Sequence, residues 1–275
     1  MHKYLSPGLK GMDVRDQVKI DRKMVEELDG TRNEWGWCKQ KIGANAILAV
    51  SLATARAGAA ANNIPLYEHL ARLAGKPTHK FIMPVPSLNI INGGAHAGNE
   101  LEIQEFMILP TQANSFKESL RMGVEVYHSL AKLLKSKFGK SAGNVGDEGG
   151  FGAPQLKDEN HTLEIISEAL HNSGHEGKVD IGLDVAASEF WDPAKKTYNF
   201  SQKNGKNDRI LTQQQTIELY TKLVNKYPIV SIEDPFDQDD FESYQKMTKQ
   251  IGDRLQIVGD DLLVTNPTRV KTGID

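Results

Sequence analysis

Three apolar runs in this 275-residue chain lead into a carboxylate. Asp184 closes Ile181-Gly-Leu-Asp, Glu233 closes Ile229-Val-Ser-Ile-Glu, and Asp260 follows Gln256-Ile-Val-Gly. Short apolar runs of this kind read as buried strands, so each acid sits where a core meets solvent. Parallel strands gather their C-terminal ends on one face. Three anionic groups gathered there repel one another unless a cation neutralises them, and hard oxygen donors with open positions suit Mg2+. Taken singly, each acid reads better as a cap on the next helix or as half of a surface ion pair. Recurrence in successive strands favours the metal.

Two further carboxylates have unusual neighbours. Glu105 lies inside the apolar pattern Ile103-Gln-Glu-Phe-Met-Ile108, and Glu148 lies in the glycine-flanked turn Gly146-Asp-Glu-Gly-Gly150. Burial raises a carboxyl pKa and keeps the group protonated, as a general acid requires. The plainer alternatives are a salt-bridged strand charge for Glu105 and a solvated acidic turn for Glu148. His96 stands in the small-residue loop Asn92-Gly-Gly-Ala-His-Ala-Gly98. Such loops close over ligands, although a lone loop histidine is also an ordinary surface residue. The loop has neither the Walker nor the Rossmann spacing. No Ser–His–Asp arrangement stands out, and Cys38, between Trp37 and Lys39, reads as packing.

These residues need an alternating α/β framework. The segment Ile42–Ala61 is Ala-rich and apolar nearly all round, which predicts a helix packed on more than one side. Gly75-Lys-Pro77 marks a boundary, after which short apolar runs alternate with helical periods. Strands are expected at 88–91, 106–109, 181–185, 229–232 and 256–258. Capping boxes at Ser115/Glu118 and Thr212/Gln215, and Asn266 before Pro267, open helices. The alternation predicts a parallel sheet covered on both faces. About five strands are legible, whereas a complete (β/α) barrel has eight.

Composition excludes several classes. The chain carries 33 basic and 36 acidic residues, and 39% of it is hydrophobic. Disorder, collagen-like repeats and a disulfide scaffold do not fit. The net charge of −3 gives no general attraction to nucleic acid or to an anionic membrane. A single cysteine makes no internal disulfide, which fits a reducing compartment. The first residues lack a signal-peptide pattern, and the apolar run 44–61 is interrupted by Asn45, Ser51, Thr54 and Arg56.

Together, Lys41–Leu48, Pro84–Gly98, Gln104–Ile108, Gly143–Gly150, Ile181–Asp184, Ser231–Pro235 and Asp260–Pro267 resemble the enolase family of eukaryotic type, in the family's order. The resemblance implies an α/β fold. It consists of a partial enolase-type barrel of about five strands over residues 78–275, preceded at 1–77 by the helical part of an α+β N-terminal domain. It implies a Mg2+-dependent lyase of glycolysis that interconverts 2-phosphoglycerate and phosphoenolpyruvate. Asp184, Glu233 and Asp260 would hold the magnesium, and Glu148, supported by Glu105, would act on the leaving hydroxyl. His96, Glu105, Glu233 and Asp260 would touch the small-molecule substrate. A cytoplasmic homodimer without nucleic-acid or membrane partners is also implied.

The departures are as informative. The family's serine before the loop histidine is Ala95 here. The family's proton-abstracting lysine lies near the end of a sixth barrel strand, which this sequence does not reach. The chain therefore reads as an internal piece of an enolase, inactive by itself. A non-catalytic binding module and a related metal-dependent acid dehydratase are the alternatives.

Overall fold

The computed structural model describes residues 3–95, 97–146 and 148–275. They form two compact units, Met1–Ile82 and Met83–Asp275.

The first unit is mainly helical. Leu5, Ile20, Met24 and Ile47 form its small core, against which Leu9, Leu28 and Val50 pack. Gly30, in the left-handed conformation (φ 71°), ends the helical segment Lys23–Asp29. Asp29 is buried, and its carboxylate accepts the backbone N–H groups of Thr31 (3.1 Å) and Ile42 (2.7 Å). Helix α1 (Ala44–Ala61) departs from expectation. Only Ile47, Ala55, Gly58 and Ala59 are buried, while Leu48 and Leu52 are each 57% exposed. The Gln17–Arg22 and Leu66–Leu73 helices supply partners for one side of α1, not for all of it. By length and composition alone α1 is long and apolar enough to cross a membrane, a test that core helices of soluble proteins also pass.

The second unit carries a five-stranded sheet: β1 (Leu88–Asn92), β2 (Glu105–Leu109), β3 (Asp180–Asp184), β4 (Ile229–Glu233) and β5 (Gln256–Val258), in the spatial order β5-β4-β3-β2-β1. Helices α2 (Phe116–Phe138) and α3 (Glu159–Asn172) both lie between β2 and β3, α4 (Gln213–Lys226) between β3 and β4, α5 (Phe241–Ile251) between β4 and β5, and α6 (Pro267–Ile274) after β5. A small antiparallel sheet formed by Trp191–Asp192, Thr197–Asn199 and Ile210–Thr212 is inserted between β3 and α4. Local chemistry sets the helix starts. Ser115 accepts the N–H of Glu118, Thr212 and Gln215 form a capping box, and Asn266 caps α6 ahead of Pro267.

The sheet is not closed into a barrel, and it is not wholly parallel. β3, β4 and β5 run parallel, but β2 is antiparallel to both β1 and β3. The connection from β1 to β2, where described, contains no helix, and a parallel neighbour would need such a crossover. The reversal has a direct consequence. Glu105, the first residue of β2, lies at the sheet end where β1, β3 and β4 finish.

Register divides the sheet into two faces. Ile91, Phe106, Leu183, Ile232 and Ile257 stand side by side across the strands, and the first four are fully buried. Under this face pack Val126 and Leu130 of α2, Leu163 and Ile166 of α3, Ile217 of α4 and Met247 of α5. The adjacent row, one residue along, is Asn92, Glu105, Asp184 and Glu233. Because side chains alternate, the same strands present an apolar core to the helices and a polar row to the other face.

Gly93 leads out of β1. Its N–H binds the Gln104 carbonyl at 2.8 Å, drawing the loop against the start of β2. A Cβ on Gly93 would overlap the Ile103 carbonyl oxygen, whereas a Cβ on Gly98 would meet nothing within 4 Å. Gly93→Ala is therefore expected to cost about 1–3 kcal/mol through overpacking. Gly98→Ala is expected to stay within about 0.5 kcal/mol of the parent. Thermal unfolding of both variants checks this, and equal melting temperatures would contradict it.

Candidate metal and acid centre

The polar row brings acids together at the sheet end. One carboxylate oxygen from each of Asp184, Glu233 and Asp234 lies within 4.8 Å of the other two. Asp184 and Glu233 are the last residues of β3 and β4, paired across the parallel strands. The third member, Asp234, is one that the sequence reading passed over. Its φ of 42° takes the chain out of the extended conformation directly after β4. Asp tolerates this left-handed region better than most residues. Its carboxylate accepts the Tyr244 hydroxyl and the Asp261 backbone N–H, both at 2.9 Å. Asp260 lies outside this group of three. It is exposed at the start of the short Asp260–Leu263 helix, and its charge still reaches Glu233 and Asp234.

The electrostatics record the crowding. Burial, followed by the charges of Glu233, Glu105 and Asp234, pushes the Asp184 carboxyl up to about 8. Burial and then Asp234, Asp260 and Asp261 raise Glu233. Burial also raises Asp234, against the opposing hydrogen bonds from Asp261 and Tyr244. Hard oxygen donors that oppose each other's ionisation fit a divalent cation, which would supply the missing positive charge. On donor chemistry, the residues present fit Mg2+.

Glu105 lies beside this group in the same row. It opens β2 and is not interior to it, as its apolar sequence neighbours suggested. Burial, a hydrogen bond with Glu148, and the charges of Glu148 and Glu233 push its carboxyl up to about 7. Glu148 is on the exposed turn after α2, and its Oε2 accepts Asn92 Nδ2 at 2.6 Å and Asn89 Nδ2 at 3.3 Å. His96 lies outside the described residues. The loop around it is tied by Lys203, whose ammonium donates to the carbonyls of Gly94 and Ala97 (2.9 Å to the latter). The Lys203 backbone N–H in turn binds the buried Glu102 at 2.6 Å. No local sequence signal marks Lys203, because its partners are more than a hundred residues away.

Buried tyrosines fix the segment after β4. Tyr198, on the central strand of the small sheet, donates to Asp240 at 2.9 Å and accepts the Asp237 N–H at 2.9 Å. Tyr220 of α4 donates to the Pro235 carbonyl at 3.0 Å. Tyr244 of α5 holds Asp234 directly. Helix α5 thus packs its apolar side under the sheet and sets an acid at the rim. Removing one buried donor from a carboxylate costs about 1–3 kcal/mol. Tyr244→Phe is expected to lower stability by that amount in chemical denaturation, and an unchanged midpoint would show that Asp234 does not depend on this bond.

Known proteins place the chain in context. Residues 80–275 match the family described as "Enolase, C-terminal TIM barrel domain", and residues 1–70 match "Enolase, N-terminal domain". An enolase from Eimeria tenella is 55% identical over 276 residues, an alignment covering all of this chain and 62% of that protein. The chain therefore spans less than two thirds of that relative's length. With its larger unit matched almost throughout, and its whole length aligned to that relative, the chain belongs to the enolase family.

Proposed function

We propose that this chain carries the metal-binding and acid-bearing part of an enolase site. The complete gene product would be a Mg2+-dependent lyase of glycolysis that reversibly dehydrates 2-phosphoglycerate to phosphoenolpyruvate. One observation carries the reading. Glu105, Asp184 and Glu233 share one register row, with Asp234 joined to the last two, at the sheet end toward which Glu148 reaches.

The roles follow from charge and position. Asp184, Glu233 and Asp260 would hold Mg2+, with Asp234 as a further donor or a close second layer. Bound there, the cation offsets the negative charge that accumulates on the substrate carboxylate when its α-proton leaves. Hydroxide is a poor leaving group, so a proton must reach the departing oxygen. Glu105, pushed up to about 7 by burial and by Glu148 beside it, is about half protonated at neutral pH and would share its proton with Glu148. Glu148 delivers a proton to the leaving hydroxyl, and Glu105 supports that transfer. Glu105, Glu233 and Asp260 also bind substrate, and His96 contacts it from the loop that Lys203 ties. The Asp29-containing region 1–77 would be the N-terminal domain remainder, and 78–275 the catalytic part. The α-proton needs a base, and family resemblance puts a lysine for that task near the end of a sixth strand. The 275 residues alone are accordingly proposed to lack turnover, and a cytoplasmic homodimer without nucleic-acid or membrane partners is the proposed assembly.

Two measurements test the reading. In the complete gene product, Glu148→Gln is expected to lower kcat by about 10²- to 10⁴-fold, the usual contribution of a positioned acid. Near-normal turnover would remove Glu148 from the chemistry. For the metal, the sign follows from Asp184. A carboxyl raised to about 8 is protonated at pH 7 without metal and must ionise to bind it. Mg2+ binding at pH 7 is therefore expected to release protons, seen by calorimetry in buffers of different ionisation enthalpy. Binding heat independent of buffer would contradict this.

A further inference from the structure

Glu148 lies on an exposed turn, yet two side chains of one strand converge on its carboxylate oxygen Oε2, Asn92 at 2.6 Å and Asn89 at 3.3 Å. In a regular strand, residues three apart point to opposite faces. Here the pairing runs Leu88 with Ile108, Asn89 with Met107, Ile91 with Phe106, and Asn92 with Glu105. Ile90 is the additional residue, a β-bulge, and it is fully buried. The bulge shifts the alternation by one, so Asn89 and Asn92 share the face of Met107 and Glu105.

The cost of this arrangement is visible. The carbonyl oxygens Oδ1 of both asparagines are buried and, among the described residues, have no hydrogen-bond partner. They face the Gly150 Cα, where a Cβ would overlap Asn92 Oδ1 and come within 3.0 Å of Asn89 Oδ1. Turning either amide over would set its oxygen against the Glu148 carboxylate, so charge fixes the donors toward Glu148. A buried unpaired acceptor costs about 1–3 kcal/mol, and an apolar side chain of the same shape would avoid it. What the asparagines give in return is two N–H groups on one carboxylate oxygen. The turn that carries Glu148 is meanwhile anchored on the same strand. The Phe151 N–H binds the Ile90 carbonyl at 2.9 Å, and the Asn92 N–H binds the Phe151 carbonyl at 3.2 Å. The Tyr127 hydroxyl of α2 donates to the Gly149 carbonyl at 2.7 Å. Backbone bonds hold the turn, and the amides aim the side chain.

We propose that Asn89 and Asn92 are positioning residues, an amide clamp made possible by the bulge at Ile90, which fixes the Glu148 carboxylate beside Glu105 for proton delivery to the leaving hydroxyl. The clamp deepens the dehydration proposed above and rests on it. It acts on one of two steps. Removal of the α-proton needs the base, whereas departure of the hydroxyl needs Glu148.

The test separates those steps. In the complete gene product with Mg2+, dehydration of 2-phosphoglycerate gives kcat and KM, and NMR in D2O follows exchange of the substrate α-proton. Asn92→Leu keeps the shape and removes the donors. It is expected to lower kcat at least about tenfold, a part of what a well-placed acid contributes. KM and α-proton exchange are expected to stay near parental values. Asn89→Leu, which loses the longer bond, is expected to show the same split with a smaller drop. It also serves as the readout should Asn92→Leu fail to fold. Unchanged kcat in both variants would overturn the clamp, as would exchange and kcat falling together. Inactivity of the unsubstituted protein would overturn the dehydration reading and the clamp with it, whereas an active parent with unaffected variants would overturn the clamp alone.

Discussion

Like-charge repulsion at the end of one sheet is the constraint around which the second unit is organised. Asp184, Glu233 and Asp234 crowd within a few ångströms, and Glu105 stands next in the row. Without a countercharge, burial and mutual repulsion drive these carboxyls toward their neutral forms, Asp184 most visibly. A site of this kind is costly to fold, and only a rigid surround keeps it assembled. The apolar face of the same strands supplies that rigidity. Phe106, Leu183 and Ile232, one residue from the acids, are locked under α2 to α5. Core and site are thus two faces of one pleat, and neither register could slip without dismantling both.

Around the acids, polar partners come from distant elements. Tyr244 reaches Asp234 from α5, Asn89 and Asn92 reach Glu148 from β1, and Lys203 reaches the loop around residue 96 from the turn linking two strands of the small inserted sheet. Tyr244, the asparagine pair and Lys203 each secure a different segment, and the two asparagines share one acceptor oxygen. Such outer partners commonly decide whether ligands and acids hold the geometry that chemistry needs. The buried amide oxygens of Asn89 and Asn92, unpaired among the described residues, are what remains unpaid in this arrangement.

Much of this was legible residue by residue. Apolar runs ending in Asp184 and Glu233 announce strand ends at a rim, and the order of the motifs alone points to the enolase family. The capping residues Ser115, Thr212 and Asn266 marked helix starts because capping is local chemistry. The antiparallel β2 was not legible, since apolar runs carry no direction. Helix α1 looked uniformly apolar, and composition alone could not say which side of it found partners.

The sequence by itself determined most of the residues that could do chemistry, where the strands of the main sheet lie, and to which family the order of motifs belongs. These depend on periodicity, caps and short motifs, all local in the chain. Tertiary structure decided which acids meet. Reversal of β2 brought Glu105 to the acid-bearing end, a left-handed backbone at Asp234 added it to Asp184 and Glu233, and one extra residue at Ile90 turned two asparagines toward Glu148. Strand direction, register and bulges are set by pairing between segments far apart in sequence, so no local pattern encodes them.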